Sequence, residues 1–297
     1  MQRNVFHGWL LVNKPAGVTS ADVVRALKKK FNPTKIGHAG TLDPDATGLM
    51  PLALGEATKT IPYLQKLKKK YEAVFLFGLK TDTDDVSGKT LRNSFYVPKK
   101  NEVLEVLKYY SEVMFQIPPK VSAVKVKGKR AYKRFKDNED FRIEARNISI
   151  YELSLISYNA AGLSLVQIEC GKGGYVRSIA RDCGDFLGCF GCVKSLSRVE
   201  YGPFKIEEAI DLSDLLDQST DDLGLCIKPI EIGIPNLKIF ECSLDDLKYV
   251  ENGRPIICPV KDDLAEGEEL FAKYKDRVAG VMFKEGEFLK VRRKFNT

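Results

Sequence analysis

Hydrophobic positions near the start of the chain change from a short continuous run to helical spacing. The run "GWLLV" at 8–12 predicts a strand. The segment "TSADVVRALKKKF" at 19–31 then begins with Thr and Ser, two common helix N-cap residues, and places Val24, Leu27 and Phe31 at helical spacing. A strand that leads directly into a helix is therefore the first predicted unit of the fold.

Later segments continue this mixture of strands and helices. Runs of aromatic and aliphatic residues predict buried strands at 71–78 and 163–170, and the spacing at 101–112 predicts a helix. The glycine-rich turn "GKGG" at 171–174 separates the second of these strands from another helical segment, which begins at Tyr175. These elements predict a mixed α/β class, and a residue between that strand and that helix is well placed to face a ligand.

The chain changes character near residue 230. An acidic connector at 211–224, "DLSDLLDQSTDDLG", is followed by β-like segments such as "RVAGVMF" and "FLKVRRKF", which the turn "KEGE" joins. With 297 residues, of which 44% are hydrophobic, the chain is long enough for one full core and a smaller second one. We therefore expect a larger domain at 1–230 and a small, mainly β domain at 231–297.

Charge is distributed unevenly between the two halves of the chain. Residues 1–150 contain 28 Lys and Arg against 15 Asp and Glu, whereas residues 151–297 contain 19 against 25. The net charge of +7 thus hides a strongly basic N-terminal half. Such asymmetry is typical of proteins that bind a polyanion, although lysine-rich faces also serve solubility alone.

Composition disfavours several classes of protein. No run of eighteen or more apolar residues is present, and the apolar stretch near the N-terminus is too short for a signal peptide. Seven cysteines, an odd number spread over a long chain, are typical of reduced thiols in a cytosolic protein. The pair in "CFGC" has no second CxxC or nearby histidine to complete a zinc site. We therefore expect a cytoplasmic protein without a membrane segment or a bound metal.

The segment "IGHAGTLDPDATGLMPLALGEATK" at 36–59 places a histidine, two acids and several turn-forming residues within an apolar stretch. A calcium-binding loop counted from Asp43 fits until its twelfth position, which falls on Leu54 where a bidentate glutamate is needed. A tight turn formed by Pro44 and Gly48 explains the shape of the segment but not its histidine. A plain turn and a catalytic carboxylate remain as open alternatives.

Five segments, in order along the chain, resemble the motifs of the bacterial TruB-type tRNA pseudouridine synthases, and the resemblance covers essentially the entire chain. The segments are "NKPAGVTS" (13–20), "GHAGTLDPDATGLMPLALGEATK" (37–59), "KKYEAVFLFGLKTDTDDVSG" (69–88), "QIPPKVSAVKVKGKRAY" (116–132) and "GKGGYVRSIARDCGDFLG" (171–188). One position departs from the family pattern, since Gly174 stands where the family usually has threonine. We expect this change to loosen the turn without loss of chemistry.

The resemblance implies an α+β fold in which a pseudouridine synthase domain with a central, mostly antiparallel sheet is followed by a small PUA-like β domain. It also implies the isomerisation of uridine 55 to pseudouridine in the T-loop of tRNA. The reaction breaks the N1–C1′ glycosidic bond and rejoins the base through C5, so no cofactor is expected.

The resemblance assigns the catalytic roles to three residues that are distant in sequence. Asp43 is the expected nucleophile, with attack at C1′ and attack at C6 both open. Arg177 is the expected partner of that carboxylate, because an arginine can pair with it in a fork geometry without titrating. Tyr71 is expected to stack on the flipped uracil and is the candidate base for the C5 proton.

Other residues are expected to contact the substrate. By resemblance, Tyr175 and Leu196 line the uracil pocket, and His38 contacts the flipped nucleotide or the space that it vacates. Lys14 and Lys59 lie within motifs and are candidates for contacts with the RNA backbone near the site. Asp45 occupies a position where the family tolerates other residues, so no acid–base partnership with the nucleophile is expected.

A basic segment at 120–136 is the candidate for wider RNA contact. Phosphate binding there would give affinity with little sequence information. The strongest candidates within it are Lys125, Lys127, Lys129 and Arg130, and its other basic residues are Lys120, Lys133, Arg134 and Lys136.

The expected partner is tRNA, bound through its T-loop and T-stem by a monomer that needs no obligate protein partner. Two alternatives remain beside tRNA isomerisation. The first is a tRNA-folding chaperone on the same fold, and the second is a related synthase that modifies ribosomal or small nuclear RNA within a ribonucleoprotein. The presence of Asp43, Tyr71 and Arg177 favours catalysis, and the compact C-terminus disfavours the ribonucleoprotein.

Overall fold

The structure is a computed structural model that describes residues 3–159, 161–259 and 264–297. The strands of its larger, N-terminal part are β1 (Gly8–Lys14), β2 (Ile36–His38), β3 (Thr47–Leu54), β4 (Lys69–Phe77), β5 (Leu79–Thr81), β6 (Thr90–Asn93), β7 (Phe115–Gln116), β8 (Lys125–Val126), β9 (Lys129–Arg130), β10 (Arg146–Asn147), β11 (Ile150–Tyr158), β12 (Leu163–Cys170), β13 (Gly191–Tyr201), β14 (Phe204–Lys205) and β15 (Ile210–Asp211). The C-terminal strands are β16 (Lys238–Glu241), β17 (Ile256–Ile257), β18 (Glu269–Tyr274), β19 (Arg277–Glu285) and β20 (Phe288–Lys294).

The helices lie between these strands. They are α1 (Ser20–Phe31), α2 (Ile61–Leu64), α3 (Lys100–Ser111), α4 (Ala131–Lys136), α5 (Val176–Phe186), α6 (Leu212–Asp217), α7 (Thr220–Leu225) and α8 (Leu244–Glu251), with 3₁₀ turns at Gly55–Thr60, Ile206–Glu208 and Ile230–Gly233. None of the helices in the described part of the chain is long and apolar enough to span a membrane. Each of the seven cysteines is a free thiol.

A central sheet carries the N-terminal part, with strand order β11-β12-β4-β13-β3-β1-β15 and with β2 and β14 added beside β3 and β13. Its neighbouring strands run antiparallel except for the parallel pairs β13–β3 and β1–β15. The predicted mixed fold with a mostly antiparallel sheet is therefore confirmed. The predicted strands at 8–12, 71–78 and 163–170 correspond to β1, β4 and β12.

The helix α1 begins where the sequence places its cap. Thr19 and Asp22 form a reciprocal capping box, which satisfies two backbone N–H groups at the start of the helix. Leu27 and Phe31 are buried in the main core as predicted, Val23 is buried with them, and the predicted Val24 is partly buried against the same core. This packing holds the helix against the sheet beside the segment that contains Asp43.

A second, five-stranded sheet with order β16-β18-β19-β20-β17 forms the C-terminal β domain. Side chains of this domain join those of the N-terminal part in one buried cluster, in which Trp9 and Phe204 meet Phe271 from β18 and Phe295, which directly follows β20. The Trp9 indole also donates a hydrogen bond to the Ile230 carbonyl at 3.1 Å. Burial of large aromatic side chains on both sides gives this contact a hydrophobic core.

Candidate active site

Asp43 lies in the loop between β2 and β3, and the backbone on each side of it is fixed by a buried side chain. The Ser20 hydroxyl donates to the Leu42 carbonyl at 3.0 Å and accepts from the Leu42 N–H at 2.9 Å. The Lys14 ammonium donates to the Pro44 carbonyl at 2.8 Å. A structural turn and a catalytic role for the carboxylate are thus compatible, because the turn holds the carboxylate in place.

Arg177, in the first turn of α5, binds Asp43 through two nitrogen atoms. Arg177 Nε lies 2.8 Å from Asp43 Oδ2, and Nη2 donates to Oδ1 at 2.9 Å. The same guanidinium donates to the carbonyls of Thr83 at 2.8 Å and Val121 at 3.0 Å. A planar guanidinium with this many fixed partners has little freedom to rotate, so it sets the orientation of the carboxylate.

Burial and nearby charges shift the pKa of Asp43. Burial raises the pKa above its usual range, and the neighbouring Asp85 carboxylate adds to the rise. The Arg177 guanidinium and the Lys14 ammonium oppose the shift. Asp85 itself is held by hydrogen bonds from Thr83 Oγ1 and Ser87 Oγ, and its Oδ2 lies 3.7 Å from Arg177 Nη1. The arginine therefore serves two carboxylates of unequal proximity.

The Asp43 carboxylate faces a cavity of about 310 Å³. The cavity wall brings together the predicted residues Tyr71 from β4, Leu196 from β13, and Tyr175 and Arg177 at the start of α5. A volume near the lower end of the range for small-molecule sites suits a single nucleotide unit. A second cavity of about 380 Å³ shares Asp43, Arg177 and Leu196 with the first in its wall.

Tyr71 is almost fully buried in the floor of this cavity. Burial raises the pKa of its phenol to about 12, while the Arg198 guanidinium on the paired strand β13 opposes the rise. The phenol is therefore neutral at physiological pH. Such a ring can stack on a base, and only the adjacent guanidinium favours the charged form that would accept a proton.

Gln116 fixes Tyr175 from the facing chain segment. Its amide oxygen accepts from the Tyr175 N–H at 2.8 Å, and its amide nitrogen donates to the Tyr175 carbonyl at 3.1 Å. Gln116 was missed as a positioning residue, although it opens the fourth motif. At Gly174 a Cβ atom would lie 2.9 Å from Cys170 Sγ, so the Cys170 thiol would have to move to accept the family's threonine.

Lys14 differs from its expected role. The side chain is fully buried, and its ammonium donates to the Pro15 and Pro44 carbonyls at 2.7 and 2.8 Å. Burial lowers the pKa of this ammonium to about 8, although Asp45 and Asp43 oppose the shift. An RNA backbone contact is inconsistent with this placement, because the lysine binds the loop that contains Asp43 from inside the protein.

His38 and Lys59 lie outside the cavity wall. His38 is partly buried in β2, its Nδ1 has no hydrogen-bond partner within the described residues, and burial lowers its pKa. The Lys59 ammonium instead pairs with Glu56 in the same 3₁₀ turn and donates to the Lys294 carbonyl of the C-terminal domain at 2.6 Å. The structure thus separates Lys59 from the group of residues around Asp43.

The predicted RNA-binding residues form the short hairpin of β8 and β9. Lys125, Lys127 and Arg130 are exposed on it. Lys129 differs, because its ammonium pairs with the carboxylates of Asp137 and Glu139. Three of the four side chains are therefore open to a phosphate group, and the fourth is already neutralised.

No group of metal-ligating side chains that could hold an ion is found in the part of the chain that the structure describes. Asp45 is exposed and lines the second cavity, whereas Asp43 is used by Arg177. Asp43 also lines the second cavity, so the two acids of "DPD" share that surface and differ in the ion pair that Asp43 makes with Arg177.

Known proteins resemble the chain in sequence over nearly its full length. A family model described as TruB family pseudouridylate synthase (N terminal domain) matches residues 28–176, and one described as tRNA pseudouridylate synthase B C-terminal domain matches residues 177–234. The tRNA pseudouridine synthase B of Ruegeria pomeroyi is 40% identical over 94% of this chain and 93% of its own length. That of Roseobacter denitrificans is 40% identical over 96% of this chain and 94% of its own length.

Solved structures share the fold at lower identity. A chain from an H/ACA ribonucleoprotein bound to a substrate RNA containing 2′-deoxyuridine has a TM-score of 0.75 and 22% identity, covering 98% of this chain and 86% of that chain. A chain from a Cbf5-Nop10-Gar1 complex has a TM-score of 0.75 and 23% identity, covering 98% and 85%. The sequence relatives and the matched motifs around Asp43 carry the assignment further than the fold does. The chain belongs to the TruB family of pseudouridylate synthases.

Proposed function

We propose that this protein isomerises uridine 55 in the T-loop of tRNA to pseudouridine, with Asp43 as the nucleophile. The observation that carries the proposal is the two-pronged contact between Arg177 and Asp43 at the wall of a nucleotide-sized cavity whose floor contains Tyr71. The names of the full-length relatives support tRNA as the substrate class.

The reaction balances without any group gained or lost. The bond between N1 and C1′ breaks, the uracil turns within the cavity, and a bond forms between C5 and C1′. C5 loses a proton, and N1 gains one. The Asp43 carboxylate can add to the nucleotide at C1′ or C6 and leave again, which is the reversible behaviour expected of an acidic nucleophile.

Entry of the uridine requires that it leave the stacked T-loop. Extrusion of a base costs a few kcal/mol, and stacking inside the enzyme offsets part of this cost. Tyr71 and Leu196 lie on neighbouring strands in the cavity and provide an aromatic and an aliphatic surface for the uracil. Tyr71 is the candidate acceptor of the C5 proton, a role that requires its phenolate form, which Arg198 favours and burial disfavours.

The tRNA would extend beyond the cavity over basic surfaces. Lys125, Lys127 and Arg130 are exposed on the β8–β9 hairpin and are suited to phosphate contact. We further propose that residues 231–297 act as a PUA-like RNA-binding domain, and that 1–230 form the catalytic domain. The C-terminal sheet supports this division because its first strand begins at Lys238, after the 3₁₀ turn at Ile230–Gly233.

Tritium release from C5-labelled uridine in a tRNA transcript tests the proposal. Wild type should release tritium from the normal transcript and not from one in which uridine 55 is replaced by cytidine. Asp43→Asn should release none, because the amide retains the size of the side chain but is a poor nucleophile.

Binding of the same transcript separates lost chemistry from lost recognition. Asp43→Asn should still bind labelled tRNA, with an affinity that falls steeply as salt rises. Tritium release by Asp43→Asn would disprove the role of the nucleophile, and release from the cytidine 55 transcript would disprove the target position.

A further inference from the structure

Among the described residues, two cations in the wall of the cavity are at least partly buried and have no carboxylate partner, and a third unpaired cation there, Lys172, is exposed. Lys69 donates to the Leu67 carbonyl at 3.1 Å, and Arg198 donates to the carbonyls of Leu49 at 2.7 Å and Gly40 at 3.3 Å. Within residues 3–159, 161–259 and 264–297, neither takes part in an ion pair. Asp43 is the only acid among the described residues that line this cavity, and Arg177 already holds it.

The pleat of two neighbouring strands brings these cations to one face of the sheet. Lys69 and Tyr71 are two residues apart in β4, so their side chains lie on the same face of the sheet. Arg198 in β13 is paired directly with Tyr71 and therefore shares that face. Lys69 Nζ lies 4.5 Å and Arg198 Cζ lies 5.0 Å from the centre of the same Tyr201 ring. Both cations therefore border the cavity floor around Tyr71.

This absence of counter-charge contrasts with the neighbouring arginines. Arg177 binds Asp43, and Arg181 binds Asp84 and Asp182, each at 2.8 Å at its shortest contact. A guanidinium such as Arg198, of which 1% is exposed, is costly to bury without an anion, and carbonyl groups offset only part of that cost. Buried cations that remain unpaired in the free protein are suited to an anion that arrives with the ligand.

We propose that Lys69 and Arg198 form a subsite for a backbone phosphate adjoining the nucleotide that enters the cavity. The inference rests on the proposed function, because an RNA nucleotide that leaves its stack carries its flanking phosphates with it. Burial lowers the pKa of Lys69 to about 8, with Arg198 and Lys172 contributing and Cys170 opposing. A bound phosphate would favour the charged ammonium and reverse this shift.

A cycle that combines protein variants with modified RNA tests the subsite. The ligand is a T-arm hairpin RNA in which one phosphate, on either the 5′ or the 3′ side of the target uridine, is replaced by a neutral methylphosphonate. For wild type we expect about tenfold weaker binding at one of the two linkages, since a charge-assisted contact is lost. With unmodified RNA, Lys69→Gln should bind more weakly than wild type by a similar factor. With the modified RNA that wild type binds less tightly, the substitution should cause no further loss of affinity.

Two variants guard against trivial effects. Lys70→Gln removes a charge of the same sign from the adjacent residue, which lies on the opposite face of β4. Any loss of affinity that it causes should be independent of the modified linkage, so the two losses should multiply. Lys69→Arg keeps the charge and should remain sensitive to the neutral linkage, which preserves the test if Lys69→Gln does not fold.

The outcomes distinguish the subsite from the function. The subsite would be overturned if Lys69→Gln and the neutral linkage each weakened binding independently, so that their effects on affinity multiplied, whether the linkage is 5′ or 3′ of the uridine. It would also be overturned if neither neutral linkage weakened binding by wild type. If wild type binds the hairpin but releases no tritium from it, the proposed function fails while the cycle still decides the subsite. If wild type does not bind the hairpin, both proposals fail.

Discussion

Arg177 Nε and Nη2 hold the two oxygens of Asp43 at 2.8 and 2.9 Å, yet the two side chains differ in their access to solvent. Arg177 exposes 5% of its side chain, whereas Asp43 exposes 39%. The Arg177 guanidinium is thus buried, whereas the Asp43 carboxylate is accessible from the cavity. A nucleophile must be reachable while its orientation is fixed, and this asymmetry meets both requirements.

Arg177→Lys should therefore separate charge from geometry. Lysine keeps a positive charge but cannot make the two-pronged contact, nor at the same time donate to the Thr83 and Val121 carbonyls. We expect the rate of tritium release to fall by about 10²-fold and the free energy of unfolding by roughly 1–3 kcal/mol. Arg142→Lys, at an exposed position, is the matched control and should change neither quantity.

The pH dependence of the reaction should report the pKa of Asp43. The carboxylate must be ionised to attack, so activity falls as pH decreases through the pKa of the folded protein. Because burial and Asp85 raise that pKa, the acidic limb should lie above the ordinary aspartate value of about 3.9. Single-turnover rates measured across pH under conditions of saturating tRNA would locate this limb.

Asp85→Asn should shift the acidic limb of this pH profile. Removal of the Asp85 charge takes away one cause of the raised pKa, so the acidic limb should move to lower pH. The asparagine can still accept the hydrogen bonds from Thr83 and Ser87, which preserves the local turn. An acidic limb that stays in place or moves upward would contradict the assignment of the limb to Asp43.

The sequence predicts best those parts of the fold that have a strong local hydrophobic pattern or a local cap. The β1 and β12 strands have apolar runs at the predicted positions, and the Thr19 cap marks the start of α1 because capping depends on residues three apart. The pairing of Asp43 with Arg177 spans 134 positions and has no local signal. Only the resemblance to a family suggested it.

The errors have a common physical origin in long-range contacts. Lys14 stands in a polar motif and was expected to contact RNA, but the folded chain brings two carbonyls to its ammonium and buries it. Arg198 was missed although it follows Leu196 at strand spacing, so it shares the face that the uracil pocket was expected to use. Burial and counter-charge are properties of the assembled sheet, which sequence spacing alone does not specify.

Glu56 should contribute to the contact between the two sheets in a pH-dependent way. Burial alone would raise its pKa, but hydrogen bonds from Lys59 and the Asn296 N–H outweigh this and lower the pKa below its usual range. The stabilisation is therefore fully present above the unfolded-state pKa of about 4.3 and is lost as pH falls through the folded-state pKa.

Glu56→Gln should lower the free energy of unfolding at pH 7 by about 1–2 kcal/mol, because the charge-assisted contacts become neutral ones. Urea denaturation at several pH values should show the difference from wild type shrinking as the pH falls towards 3. Glu105→Gln, on the exposed face of α3, is the control and should leave stability nearly unchanged. A difference that is constant with pH would contradict a role for the Glu56 charge.

The β8–β9 hairpin should contribute unequally to the salt dependence of tRNA binding. Lys127 is exposed at the hairpin turn, whereas Asp137 and Glu139 already neutralise Lys129 and raise its pKa. Each phosphate neutralised by the protein contributes about 0.7–0.9 to the slope of log affinity against log salt. Lys127→Gln should therefore reduce the slope by nearly one such increment, and Lys129→Gln by much less.

Filter binding of labelled tRNA over a series of salt concentrations compares the two variants. Equal reductions would mean that RNA displaces the carboxylates from Lys129, and the internal ion pairs would then be a feature of the free protein alone.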